Sequence, residues 1–165
     1  MKKLFLTPLL SAALLLFGCQ DSTETINPNV VAQLQGAWLN TAIQQRYYDA
    51  AGTLVFESAG SPDSLVYKIK DNNLAIVLDS TQFTNDSTSS QKTLQSMTFV
   101  LTDTKDMTRI TFTQSGGGTS HTTITAVSPA TMTWEDSFEN QSYQDSTQTR
   151  TAAKVVIRHE FKKLP

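Results

Sequence analysis

The chain has one cysteine, two histidines and no cluster of basic residues. A lone cysteine, Cys19, excludes an internal disulfide framework. The histidines, His121 and His159, have no cysteine or acidic residue at metal-ligand spacing, so no zinc motif is present. Thirteen Lys and Arg are scattered among fifteen Asp and Glu. Without a basic patch, nucleic acid is not an expected partner. After residue 35 no apolar period of 3.6 occurs, which excludes a helical bundle. Gly116-Gly117-Gly118 is followed by no Lys-Ser/Thr pair and is a hairpin turn rather than a phosphate loop. No serine sits in a strand–turn–helix elbow. No catalytic residue, metal or cofactor is expected.

What is present begins with a leader. Lys2 and Lys3 precede an apolar stretch, Leu4 to Phe17, that is too short to span a bilayer comfortably. Residues 1–18 form a secretory signal peptide. Its removal leaves 147 of 165 residues and takes the net charge from −2 to −4, since Lys2 and Lys3 leave with it. A chain of that length makes one domain, able to bury ~68–70% of its unfolded surface without a staple.

The leader ends Leu16-Phe17-Gly18-Cys19, which resembles the lipobox of bacterial lipoproteins. The resemblance implies cleavage before Cys19 and acylation of its thiol, which leaves the mature protein without a free thiol. Each buried acyl methylene adds about 0.8 kcal/mol of membrane affinity, so several chains hold where one does not. In that family an aspartate after the cysteine retains the protein in the inner membrane. Here Gln20 follows, which implies an outer-membrane location in the cell envelope. Residues 19–29 read as a polar tether reaching at most ~35 Å.

The domain spans residues 30–165. Asn27-Pro28 can start a short helical turn with Val30, Val31 and Leu34 inward. From Trp38 onward the apolar period is two, in nine segments. These centre on Trp38, Leu54–Phe56, Leu65–Ile69, Leu74–Leu78, Met97–Leu101, Ile110–Phe112, Ile124–Ala126, Met132–Phe138 and Val155–Phe161. Their connections are turns, at Asp71-Asn72-Asn73, 103–106, 115–120 and 128–130, or polar loops, at 80–92 and 139–151. None suits a helical crossover, so the strands are antiparallel. Closing the meander removes both exposed edges. The expectation is an all-β, up-and-down antiparallel barrel of eight or nine strands.

The segment Leu34-Gln35-Gly36-Ala37-Trp38-Leu39 resembles the opening motif of the lipocalin family, and lipocalin-like domains of bacterial lipoproteins in particular. The resemblance implies that Gly36 and Trp38 close the barrel floor beneath an arginine of the last strand, for which Arg158 is the candidate. It covers the mature domain in pattern but only Leu34, Gly36, Trp38 and Arg158 in identity. An unrelated antiparallel barrel or sandwich with this tripeptide is the other reading.

Two polar residues share inward parity. His159 falls on the Val155–Phe161 face, as a core or rim residue. Asp136 falls with Trp134 and Phe138. An inward carboxylate must be paired, lie at the mouth, or be turned out by a bulge. Alternatively Asp136 anchors a ligand between Tyr67 and Trp134. The expected function is lipid-anchored binding or carriage of a small, largely apolar molecule. The alternative is a non-enzymatic interaction or structural lipoprotein whose filled barrel meets an envelope protein through its long loops. The repeated Asp-Ser-Thr at Asp21, Asp79, Asp86 and Asp145 is either loop composition or, by resemblance, an O-glycosylation acceptor.

Overall fold

The computed structural model describes residues 28–62, 65–79, 91–104, 107–114, 116–146 and 148–165. The leader, Cys19, Asn27 and most of the Ser80–Lys92 loop lie outside them. Among the described residues there is one helix, α1 (Pro28–Leu34), and nine strands. These are β1 (Gly36–Tyr48), β2 (Leu54–Gly60), β3 (Val66–Lys70), β4 (Asn73–Asp79), β5 (Gln91–Thr104), β6 (Met107–Gln114), β7 (Thr119–Val127), β8 (Thr131–Asp145) and β9 (Gln148–Lys163). No helix among these residues is long and apolar enough to cross a membrane.

The sheet is organised on β1. One edge of β1 pairs with β9 from Trp38 to Tyr48. The other edge is shared: Gly36–Leu39 pairs with β3, and Ile43–Tyr48 pairs with β2. Every pairing is antiparallel, and the order β1-β3-β4-β5-β6-β7-β8-β9 returns to β1. The fold is therefore the expected closed antiparallel barrel, with eight strands in the ring. The ninth, β2, is laid outside it. Short β3 covers only the first four residues of β1, and β2 pairs with Ile43–Tyr48 on that edge.

Bulges set which residues face inward. A register shift opposite Ile76 and Val77 leaves Leu94 exposed as the extra residue of β5, while β4 keeps Leu74 and Ile76 inward and Val77 is buried beside Val66 on the other face. A shift between Ile124 and Ala126 likewise exposes Ala126, which does not share the buried face of Ile124. Bulges of this kind bend a strand and raise its twist, which ring closure requires.

One end of the ring is shut. The turn between β3 and β4, the turn between β7 and β8 and the end of β9 gather there beside α1. Lys163 N donates to Ala130 O, and Asp71 N donates to the Gln35 side chain. Leu34 and Trp38 are fully buried. Inside, Tyr67, Phe99, Phe112, Trp134 and Phe161 interlock edge to face, Trp134 and Phe161 with centroids 4.4 Å apart. Ile69, Leu74, Ile110, Ile124 and Met132 complete this core. Each large side chain removed from it costs about 3–5 kcal/mol for an aromatic and 2–5 for an aliphatic residue.

The stretch 139–151 is not a loop. Gln141–Ser142–Tyr143–Gln144–Asp145 pairs residue for residue with Ala152 back to Gln148, which extends the β8–β9 hairpin beyond the ring. It lacks apolar alternation because most of its side chains on both faces are exposed. The arm also doubles back. Tyr143 pairs with Arg150, five residues past the Tyr47–Val155 pair, or roughly 17 Å along a straight strand. Yet its ring lies 4.8 Å from Tyr47 and 5.0 Å from Phe56. Asn140, at φ 53°, sits where the arm turns. Asparagine tolerates that left-handed conformation better than most residues.

Candidate binding site

The floor is built first, because it fixes what remains open above it. Gly36 follows α1 at φ 126°, a conformation strained for any side chain. A Cβ there would also come within 2.6 Å of Lys163 Cε. Trp38 Nε1 donates to Leu34 O at 2.8 Å, so the indole is tied to the helix that plugs the barrel. Gly36 and Trp38 lie at this shut end, between α1 and the end of β9. The cation over the indole is Lys163, whose Nζ lies 4.9 Å from the ring centroid and donates to Gln33 O at 3.2 Å. Arg158 does not reach it. Arg158 stands opposite Gln44 and lies an odd number of residues from Lys163, so it projects from the other face of β9. There it pairs with Glu160 at 3.2 Å and Glu135 at 4.0 Å.

Above the aromatic core the barrel opens into a cavity of about 410 Å³. Its apolar wall comes from β3 to β6: Tyr67, Leu74, Ile76, Met97 and Phe112. Its other wall comes from β7 to β9 and carries Thr122, Trp134, Asp136 and His159, with Ser137 and half-exposed Phe138 at the rim. Tyr67, Trp134 and Asp136 thus line one space. Tyr67 on β3 and Trp134 and Asp136 on β8 share the inward face of the ring.

A chain of polar side chains crosses that second wall. Thr122 Oγ1 donates to Asp136 Oδ1. His159 Nε2 lies 3.4 Å from Asp136 Oδ2. On its far side, His159 Nδ1 and the Asn40 amide nitrogen lie 3.3 Å apart. Asp136 is the inward carboxylate paired near the mouth, and His159 is the residue that pairs it. Two buried polar atoms, Asn40 Oδ1 and Trp134 Nε1, have no partner among the described residues.

Thr122 and Asn40 were not visible as site residues. Thr122 has the parity of Ile124, which was a usable signal, but it stands in a strand of threonines. Asn40 lies two residues beyond Trp38 on the same face, just before the bulge at Thr41. A second hollow of about 470 Å³ lies between the β1–β2 turn and the arm. Exposed Ala50, Gly52, Glu139 and Lys154 are among its walls, with Tyr48, Ala153 and Val156. Among the described residues no group of three or more His, Cys, Asp or Glu is placed to hold a metal ion.

Fold and geometry define an antiparallel eight-stranded barrel with a plugged floor and a hollow mouth. Comparison of the chain with protein-family models, curated proteins and solved structures returned no match.

Proposed function

We propose that this protein is a lipid-anchored, lipocalin-like, non-enzymatic barrel of the cell envelope, and that it binds or carries a small, largely apolar molecule in its mouth. The supporting observation is the 410 Å³ cavity with an apolar wall and a few convergent polar groups. Small-molecule sites have that make-up and occupy roughly 300–1,000 Å³. The anchoring half of the reading rests on Leu16-Phe17-Gly18-Cys19, and the outer-membrane location on Gln20. The alternative, an interaction or structural protein, is favoured by the filled lower half of the barrel and by the projecting arm.

The test is titration of the full-length chain with N-phenyl-1-naphthylamine, a neutral apolar fluorophore. Saturable one-to-one binding that Met97→Trp weakens is expected, because the larger side chain would occupy the cavity. Absence of saturable binding would remove the carrier reading and leave the interaction role.

A further inference from the structure

The cavity is polar as well as apolar. Asp136 is the carboxylate in its lining, His121 and His159 are the other titratable side chains there besides Tyr67, and among the described residues no lysine or arginine lines it. The nearest partner of Asp136 is His159, whose Nε2 lies 3.4 Å from Oδ2. An ionised carboxylate offers about four acceptor positions. Thr122 and His159 occupy two of them. The side chain keeps 23% of its surface exposed and is reachable from the cavity it lines.

Accepting the cavity as a binding site, we infer that its ligand is an apolar body bearing a hydrogen-bond donor, best a protonated amine, and not a carboxylate. The donor meets the free acceptor positions of Asp136. The apolar body lies against Tyr67, Leu74, Ile76 and Met97 on the opposite wall. An anionic head, such as a fatty acid's, would stand beside Asp136 with no lysine or arginine in the lining to offset it. In a partly desolvated cavity a like charge is costly and an unlike charge favourable, by far more than in bulk water.

Three matched probes test this at neutral pH on the full-length chain by isothermal titration calorimetry: 1-naphthylmethylamine, 1-naphthalenemethanol and 1-naphthoate. The ammonium is expected to bind at least about tenfold tighter than the carboxylate, with the alcohol between them. Asp136→Asn, its fold checked by circular dichroism, should bring the ammonium and carboxylate affinities within about threefold of one another. Equal affinities for ammonium and carboxylate in the native sequence would overturn the inference while leaving the cavity a binding site. Tighter carboxylate binding would overturn it likewise. No binding of any probe would overturn the inference and the binding reading together. The wild-type comparison decides the matter even if the variant does not fold.

Discussion

Trp38 and Lys163 stand directly opposite each other on β1 and β9, with the ammonium 4.9 Å from the indole centroid. This pair seals the ring at the floor. Its lysine also reaches a carbonyl of α1, so helix, first strand and last strand meet at one contact.

Removing that cation should therefore destabilise the barrel. Lys163→Met loses a desolvated cation–π contact of about 0.5–2 kcal/mol and a charge-assisted hydrogen bond of about 1.5–3 kcal/mol. Arg158→Ala, on the outer face, should change stability by no more than about 0.5–1 kcal/mol, because its ion pairs are partly exposed. Urea midpoints of the two variants check the ranking. An arginine variant that falls further than the lysine variant would contradict the assignment.

Gly36→Ala should cost more than a typical loop substitution, about 1–3 kcal/mol, since alanine at φ 126° is strained and its Cβ meets the lysine stem. Thermal melts check this. The double variant with Lys163→Ala should recover the steric part and keep the backbone part. Full additivity would show that the close approach to Lys163 has no consequence.

Thr122→Val should lower stability by about 1–3 kcal/mol, because a partly buried carboxylate loses one of its two donors. A double-mutant cycle with His159→Phe should show coupling above about 0.5 kcal/mol, as residues sharing one acceptor do. Zero coupling would mean that Thr122, Asp136 and His159 do not act as a unit.

The fold was legible because burial on one face writes a period of two into every ring strand. Tyr67, Trp134, Asp136 and His159 were placed by that parity alone. What escaped has specific causes. The extension of the β8–β9 hairpin carries Thr, Gln and Ser on both faces, so pairing left no apolar signature. The extra residue Thr125 in β7 reversed inward and outward beyond it, which turned Ala126 out. The resemblance points to Arg158, although its parity with Glu160 turns it outward, and it carries no signal for Lys163. β2 reads like any ring strand, because its exclusion depends on how β1 divides its edge between two partners.

Tyr143→Ala should free the arm without unfolding the ring. The ring of Tyr143 contacts Tyr47 and Phe56, and these three aromatics hold the doubled-back hairpin. Hydrogen exchange should speed at Gln141–Asp145 and Gln148–Ala152 and stay unchanged in β5 and β6. Uniform acceleration would mean that the arm and the ring unfold together.

Cys19→Ser should release the protein from the membrane fraction, since acylation requires the thiol. Retention of the serine variant in washed membranes would remove the lipid anchor from the account.

Native mass spectrometry of the full-length protein, purified from its own membranes, tests the carrier reading most directly. The account predicts one small molecule bound per chain, displaced by 1-naphthylmethylamine and lost in Met97→Trp. A mass with no bound small molecule, together with no uptake of the naphthyl amine, would contradict it.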